Sequence, residues 1–206
     1  MIPPRLVLAT SNRGKLAELR ALLAEWGPVE VLSLEAFPGT ELPEERASSY
    51  AENAIAKAQA VAGATGLPAL ADDSGLEVDA LGGGPGPRSA RYAGPEATDA
   101  ERVALLLGTL RAVPEVERGA RFRCVVALAW PDGRVETAEG ECAGRIAAAP
   151  EGTGGFGYDP VFVAAELGRT FAAISSEEKR RVSHRARAVR ALGARLRSLR
   201  GPGGPC

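Results

Sequence analysis

Residues 5–23 read RLVLATSNRGKLAELRALL, and this stretch indicates the class of fold. Its first part, Arg5 to Ala9, is a mostly apolar run that indicates a buried strand. A polar loop follows, and a helix is predicted from about Lys15, because leucines and Trp26 then recur at spacings of three and four. A strand that passes through a short loop into a helix is typical of α/β proteins.

Two further segments extend the predicted sheet. Val29 to Leu34 has the apolar character of a second strand. Phe122 to Trp130, the turn Pro131-Asp132-Gly133 and the residues from Arg134 onward indicate a hairpin, which brings antiparallel pairing to the sheet. We therefore predict an α/β fold with a mixed central sheet and flanking helices.

Three capping boxes predict the starts of further helices. They are Ser49–Glu52, Thr98–Glu101 and Ser175–Glu178. The first two of these helices are predicted to run to about Ala62 and Arg111. Because no repeat or linker divides the chain, residues 1–200 are predicted to form a single domain. The glycine- and proline-rich residues 201–206 are predicted to form a flexible C-terminal tail.

Composition narrows the class of protein. The chain has 206 residues, of which 45% are apolar, and this allows one substantial core but leaves little room for two independent ones. A formal net charge of −1 attracts neither nucleic acid nor an anionic membrane, so small-molecule partners are expected. No stretch approaches the roughly 20 apolar residues of a membrane span, and the N-terminus lacks the pattern of a signal peptide. We therefore expect a cytoplasmic location.

Lysine is scarce, and its positions are informative. Of 25 lysine and arginine residues, only Lys15, Lys57 and Lys179 are lysines. A compact, flexible ammonium group fits a tight phosphate pocket in ways that a planar guanidinium does not. These lysines are therefore candidates for phosphate contacts, with chance survival as the alternative.

The loop before the first predicted helix ends in Gly14-Lys15. This arrangement points backbone N–H groups and a lysine at any anion that sits on the helix N-terminus. It is not a Walker A loop, because the first glycine is missing and Leu16 stands where Ser or Thr would bind magnesium. An ordinary strand-to-helix turn is the alternative.

Two adjacent carboxylates, Asp72 and Asp73, follow a short apolar run and precede Gly75. Carboxylates at a strand end can bind magnesium through oxygen, or take a proton from a metal-polarised water. The alternative is a solvated, aspartate-rich turn.

Residues 152–160 read GTGGFGYDP and formally contain G-x-G-x-x-G. A dinucleotide-binding fingerprint must open a helix, whereas this segment leads into the apolar run Val161–Val163. We predict instead a flexible wall in which Phe156 stacks on a base while Asp159 and backbone amides meet its edge. A glycine-rich hairpin loop is the alternative.

The basic C-terminal region contains Lys179 and the only histidine, His184, next to Arg185. These three side chains could form a cluster of donors that faces an anionic or carbonyl-bearing ligand. A solvated basic helix is the alternative.

Taken together, six groups of residues resemble those of the inosine triphosphate pyrophosphatase family, which hydrolyses non-canonical purine nucleotides such as ITP, dITP and XTP. They are residues 8–15 (LATSNRGK), 50–58 (YAENAIAKA), 71–76 (ADDSGL), 80–87 with 89–92 (ALGGGPGP and SARY), 154–160 (GGFGYDP), and Glu178-Lys179 with Ser183-His184-Arg185. The resemblance implies an elongated, two-lobed α/β domain with a nucleotide cleft between the lobes, and a homodimer. It also implies magnesium-dependent release of pyrophosphate.

The resemblance implies roles for individual residues in the reaction. Asp73 is the expected general base and metal ligand, and Glu45 the second carboxylate at Mg²⁺, with Glu44 as the alternative. Ser74 is expected to touch the substrate, and Lys57 to add a phosphate contact. The triphosphate is expected to bind the loop residues Thr10, Ser11, Asn12, Arg13, Gly14 and Lys15. The rest of the nucleotide pocket is expected to consist of Phe156, Gly157, Tyr158, Asp159, Lys179, His184 and Arg185.

The spacing of the C-terminal donors predicts a break in the helix. On a continuous helix, Lys179 and His184 would point about 140° away from each other and could not share one pocket. We therefore predict a break near Val182-Ser183, with Ser183 as the N-cap of the final helix. The donors could then converge on the 6-oxo group of hypoxanthine or xanthine.

Two other classes of function compete with this interpretation. One is a nucleotide sensor that binds in the same cleft without turnover. The other is an RNA- or DNA-binding module built on the arginine-rich C-terminal helix, which predicts strongly salt-dependent binding. The near-neutral charge and the acidic motif argue against the second class.

Overall fold

The computed structural model describes residues 1–45 and 49–199. The tail expected at residues 201–206 lies outside the described residues. Within the described part, six strands and five α-helices form an α/β fold. The fold class predicted from the sequence is therefore confirmed.

The strands form one mixed sheet. They are β1 (Arg5–Leu8), β2 (Glu30–Ser33), β3 (Ala69–Val78), β4 (Gly119–Ala129), β5 (Val135–Ile146) and β6 (Phe162–Ala164). Their order across the sheet is β2-β1-β3-β4-β5-β6. β1 pairs in parallel with β2 and β3, whereas β5 and β6 are antiparallel. Both kinds of pairing predicted from the sequence are therefore present.

The predicted hairpin joins β4 to β5. The Trp130 N–H donates to the Arg134 carbonyl oxygen at 2.9 Å, and the Gly133 N–H donates to the Trp130 carbonyl oxygen at 3.0 Å. Gly133 has a φ of 89°, a backbone angle that residues with a Cβ rarely adopt. The glycine therefore permits the tight turn that the sequence predicted.

Five α-helices complete the described fold, together with six short 3-10 segments. The α-helices are α1 (Arg13–Leu23), α2 (Tyr50–Thr65), α3 (Asp99–Thr109), α4 (Ser176–Val182) and α5 (His184–Ser198). The 3-10 segments are Ala24–Trp26, Leu34–Ala36, Asp79–Leu81, Gly86–Arg91, Glu115–Glu117 and Phe171–Ala173.

The capping boxes begin helices where they were predicted. At Thr98 and Ser175 both reciprocal hydrogen bonds of the box are present. At Ser49 the side chain accepts from the Glu52 N–H at 3.5 Å, which is a long contact. Helix α2 runs to Thr65 rather than Ala62, because its left-handed C-cap is Gly66, whose N–H donates to the Ala62 carbonyl oxygen.

The chain divides into two compact units. The first unit comprises Met1–Asp73, Cys124–Gly140 and the described part of Arg185–Cys206. The second unit comprises Ser74–Arg123 and Glu141–His184.

The first unit packs helices on both faces of β1 and β3. Leu6 and Leu8 belong to a core that includes leucines of α1 and α5, and Leu70 of β3 joins the same core. Val7 belongs to a separate core with α2, which Ala71 of β3 also joins. Successive side chains of a strand point to opposite faces, so each strand contributes to both cores.

The second unit has an aromatic core. The ring centroids of Phe122 and Phe162 are 4.6 Å apart, and those of Phe162 and Phe171 are 5.0 Å apart. The His184 ring stacks on Phe122 with a centroid distance of 4.6 Å and an interplanar angle of 13°.

In the described part of the chain, no helix is long and apolar enough to span a bilayer.

Candidate active site

The loop from Thr10 to Lys15 connects β1 to α1, and its own side chains shape it. The Asn12 side-chain oxygen accepts from the Lys15 N–H at 2.9 Å and so caps α1. The Asn12 N–H donates to Thr10 Oγ1 at 3.2 Å. Ser11, Asn12 and Arg13 are exposed. The loop therefore presents a helix N-terminus to solvent, with Asn12 as the cap.

Asp72 lies at the centre of a buried group of charges. Its side chain is fully buried, and its Oδ2 accepts from Arg185 Nε at 3.1 Å and Nη2 at 3.0 Å. Lys15 Nζ lies 3.2 Å from the same oxygen. A further ion pair joins Arg185 to Glu18 of α1.

These cations set the charge of Asp72. Burial raises the pKa of this carboxyl, but Lys15, Arg185 and Lys57 together more than offset that effect. Its pKa therefore lies well below the usual range. Asp72 is ionised whenever the protein is folded near neutral pH, and it is a poor base.

Asp73 points to the other face of β3 and has different neighbours. Asn53 Nδ2 of α2 donates to its Oδ2 at 2.9 Å, and Lys57 Nζ lies 3.7 Å from its Oδ1. Burial raises the pKa of Asp73 most, and the charge of Glu45 raises it further, against the lowering effects of Lys57 and Asn53. The net shift is upward, which makes this carboxylate the better proton acceptor of the pair.

Lys57 connects the residues around Asp73. Its ammonium group donates to the Glu45 carboxylate and, at 2.7 Å, to the Asp72 carbonyl oxygen. Burial lowers the pKa of Lys57, but the carboxylates of Asp72, Asp73 and Glu45 together raise it above its usual value. Lys57 is therefore a buried cation. Glu45 is half-buried beside it, whereas Glu44 is exposed.

The carboxylates suit a divalent cation that is shared with a substrate. Among residues 1–45 and 49–199, no group of three or more metal-ligating side chains gathers at one point. Mg²⁺ is commonly bound by one or two carboxylates together with waters and phosphate oxygens. Lys57 Nζ pairs with both Glu45 and Asp73, so the two carboxylates lie close together. A divalent cation bound by both would offset their mutual repulsion. Ser74, the next residue of β3, is half-buried.

Residues 152–160, which we call the glycine-rich loop, are anchored by hydrogen bonds. The Gly154 N–H donates to the Ala172 carbonyl oxygen at 3.0 Å. Tyr158 Oη donates to the Ser89 carbonyl oxygen at 2.9 Å, and the Gly157 N–H donates to Asp99 Oδ2 at 2.6 Å. These contacts correct the expectation of a flexible wall, because the loop is tied to three other segments of the second unit.

Asp159 holds the glycine-rich loop from within. It is buried, accepts from the Phe156 N–H at 2.9 Å, and pairs with Lys179 Nζ at 2.5 Å. A Cβ on Gly155 would lie 2.0 Å from Asp159 Oδ2, so the close approach of this carboxylate requires glycine there. Lys179 Nζ also lies 4.9 Å from the centroid of the Phe156 ring. Phe156, Asp159 and Lys179 therefore form one cluster.

The predicted break between the last two helices is confirmed. Helix α4 ends at Val182, Ser183 has extended backbone angles of −67° and 151°, and α5 begins at His184. Lys179 and His184 belong to the second unit, whereas Arg185 pairs with carboxylates in the first. The convergence of the three donors on one ligand stays a prediction.

Sequence comparison decides the family. A sequence model of the Ham1 family matches residues 6–195. The chain belongs to the Ham1 family.

Relatives of this Ham1-family chain carry consistent names. It is 52% identical to a dITP/XTP pyrophosphatase of Desulforamulus reducens, over 90% of this chain and 92% of the relative. It is 54% identical to a dITP/XTP pyrophosphatase of Thermus thermophilus, over 91% of this chain and 89% of the relative. Among solved structures, a HAM1 protein from Coxiella burnetii is 42% identical with a TM-score of 0.84, covering 95% of this chain and 99% of its own.

Three residues of the candidate site were missed by sequence reasoning. Asn53 contacts Asp73, Glu18 contacts Arg185, and Asp99 contacts Gly157. Asn53 could have been predicted from the sequence, because it lies four residues before Lys57 and therefore on the same helix face. The contact of Arg185 spans 167 residues of sequence, and that of Asp99 spans 58. No local pattern specifies either partner.

Proposed function

We propose that this protein hydrolyses deaminated purine nucleoside triphosphates, namely ITP, dITP and XTP, to the monophosphate and pyrophosphate. The observation that carries the proposal is the group formed by Asp73, Glu45 and Lys57, in a chain about half identical to proteins named dITP/XTP pyrophosphatases. Such a group combines a carboxylate of raised pKa with a second carboxylate and a buried cation.

Asp73 and Glu45 are the proposed ligands of Mg²⁺. When bound, the metal would polarise a water molecule and offset negative charge on the phosphate oxygens. Asp73 takes the proton of the water that attacks the α-phosphorus, which is the role that the family resemblance implies for this carboxylate. A bond forms between the water oxygen and the α-phosphorus, and the bond to the β-phosphate breaks.

The lysines offset charge on the departing pyrophosphate. Thr10 to Lys15 would hold the triphosphate at the N-terminus of α1, where backbone N–H groups and the helix dipole favour an anion. Lys15 and Lys57 add two ammonium groups. Ser74, next to Asp73 in β3, is the proposed further contact to the substrate.

We assign recognition of the base to the glycine-rich loop together with His184 and Arg185. Phe156 stacks on the purine, and Gly157, Tyr158 and Asp159 complete that side. N–H groups of His184 and Arg185 donate to a 6-oxo group, whereas adenine would face them with another donor. Guanine shares the 6-oxo group, so its exclusion is assigned to the 2-position, where Asp159 or nearby backbone acts.

A substrate panel tests the proposed function. ITP, dITP, XTP, ATP and GTP are each incubated with the protein and Mg²⁺, and pyrophosphate and monophosphate are measured. We expect equal amounts of both products from the first three and far less from ATP and GTP. Release of orthophosphate would contradict the reaction, and tight binding without turnover would indicate a sensor.

The same assay tests the part assigned to Arg185. Replacement by alanine disturbs the buried pair with Asp72, so the ratio of the kcat/KM values for ITP and ATP is the informative quantity. We expect Arg185→Ala to narrow that ratio. The control is Arg190→Ala, which lies on the same helix and pairs with Glu25 at the surface. An unchanged ratio in Arg185→Ala would remove this role.

The proposed homodimer rests on the family resemblance alone. Light scattering at several protein concentrations tests it, and a mass of one chain throughout would contradict it. The cytoplasmic location stays an expectation from the sequence.

A further inference from the structure

The first residue of α3, Asp99, contacts the glycine-rich loop. Its Oδ2 accepts from the Gly157 N–H at 2.6 Å, and its other carboxylate oxygen pairs with Arg102 one turn later. Gly157 has a φ of 62°, in the left-handed region. The loop therefore takes a conformation suited to glycine, and a carboxylate from outside the loop binds its amide.

Arg102 fixes the orientation of Asp99. Its Nη1 donates to the Ala90 carbonyl oxygen at 3.0 Å and also to the Ala97 carbonyl oxygen, while Nη2 pairs with Asp99. The guanidinium is mostly buried, with 16% of its side chain exposed. Because Arg102 is attached to the segment before α3, the Asp99 carboxylate is held in one direction. The N-terminal end of the helix also favours its negative charge.

Two carboxylates bind the consecutive backbone amides of Phe156 and Gly157. Asp159 accepts from the Phe156 N–H, and Asp99 accepts from the Gly157 N–H. Asp159 belongs to the loop itself, whereas Asp99 connects the loop to a helix. Hydrogen bonds to a charged acceptor are stronger than neutral ones. The backbone on both sides of Phe156 is therefore held by charge-assisted hydrogen bonds before any ligand binds.

We propose that Asp99 is a positioning residue that holds the Phe156–Gly157 peptide ready for stacking on the purine base. The proposal rests on the proposed function, which assigns base stacking to Phe156. A loop already ordered in its bound conformation loses less entropy when the base binds. The carboxylates assigned to chemistry, Asp73 and Glu45, belong to the other unit. Asp99 should therefore affect KM and leave kcat nearly unchanged.

The test compares Asp99→Ala and Asp99→Asn with a matched control, Glu101→Ala. Glu101 caps the same helix end through Thr98, so its loss weakens the start of α3 while Asp99 is retained. Amide hydrogen exchange is measured for the peptide that covers residues 152–160. KM and kcat are measured for pyrophosphate release from dITP. Thermal unfolding of each variant identifies any that fail to fold.

For Asp99→Ala we expect faster exchange in the loop peptide and a rise in KM of about tenfold, with kcat within about twofold of the wild type. For Asp99→Asn, both the exchange rate and KM should lie between those of the wild type and Asp99→Ala. The reason is that the amide oxygen can still accept from the Gly157 N–H but carries no charge. Glu101→Ala should change neither quantity. If Asp99→Ala does not fold, the exchange rate and KM of Asp99→Asn provide the test.

Unchanged exchange and KM in a folded Asp99 variant would overturn the proposal. An equal rise of KM in Glu101→Ala would also overturn it, because the effect would then come from the helix end. If the wild type releases no pyrophosphate from dITP, the proposed function fails. The exchange measurement would still decide whether Asp99 holds the loop.

Discussion

The two faces of β3 differ sharply, although they are represented by adjacent aspartates. The face of Asp72 meets α1 and α5 and supplies Lys15 and Arg185, so this carboxylate is buried in an ion cluster. The face of Asp73 meets α2 and supplies Asn53 and Lys57, with Glu45 beside them. The pKa of Asp72 is lowered and that of Asp73 is raised. The same residue type therefore has opposite pKa shifts on the two faces, in line with the proposal that Asp72 serves structure and Asp73 proton transfer.

The largest expected effect is that of Asp73→Asn on turnover. The amide keeps the shape and can still contact Asn53, but it neither accepts a proton nor supplies charge for a metal. We expect kcat for dITP to fall by about a thousandfold or more, with the melting temperature nearly unchanged. Pyrophosphate release and thermal unfolding are measured on the same preparation. A nearly active Asp73→Asn would show that the two faces have been assigned the wrong way round.

Asp72→Asn should instead lower stability. The change leaves the buried Arg185 and the half-buried Lys15 without their shared carboxylate, and Glu18 is then the carboxylate that still pairs with Arg185. Breaking a buried ion pair of this kind costs about 3 kcal/mol of unfolding free energy. Denaturant unfolding measures the loss. The control is Asp132→Asn, since Asp132 pairs with Arg134 at the surface and should contribute almost nothing. Equal stability of the two variants would contradict the cluster.

A smaller effect is expected when Lys15 is replaced by arginine. The planar guanidinium retains the charge but not the compact shape, and Lys15 Nζ lies 3.2 Å from Asp72 Oδ2. We expect kcat/KM for dITP to fall by about tenfold. The reverse change at the surface, Arg134→Lys, should have little effect. Wild-type kinetics in Lys15→Arg would show that the scarcity of lysine carries no information about this position.

The smallest expected effect is on the pH dependence of stability. Because the pKa of Asp72 in the folded state is below its unfolded value of about 3.9, its contribution is complete above that value. The contribution is lost as the pH falls toward the folded pKa. The difference in unfolding free energy between wild type and Asp72→Asn should therefore be constant near neutral pH and narrow below about pH 4. A difference that widens with acidification would contradict the lowered pKa.

Much of the fold was accessible from the sequence because its signals are local. The strand at Arg5, the capping boxes at Thr98 and Ser175, and the break before His184 all follow from spacing and capping chemistry. The sequence placed Asp72 and Asp73 at the end of a strand, whereas β3 continues through them to Val78, and its alternation separates the two side chains.

What the sequence could not predict was the choice of distant partners. Nothing near Arg185 identifies Asp72, which is 113 residues away, as its partner. The glycines of residues 152–157 suggested a flexible loop. Gly155 is required for another reason, since its backbone is left-handed and Asp159 approaches it closely. The hydrogen-bond partners that anchor the loop come from distant parts of the sequence. The charged groups around each carboxylate decide which of the two has a lowered pKa, and these neighbours come together only in the assembled fold.

The central claim is that Asp73 activates water for attack on the α-phosphorus. It is tested most directly by a single turnover of dITP in water labelled with a heavy oxygen isotope, with the protein in excess. The account predicts that the label appears in the monophosphate during the first turnover and is absent from pyrophosphate. An unlabelled monophosphate with the label retained in the Asp73 carboxylate would show that Asp73 is a nucleophile. Label in pyrophosphate would show attack at the β-phosphorus, and either result would contradict the account.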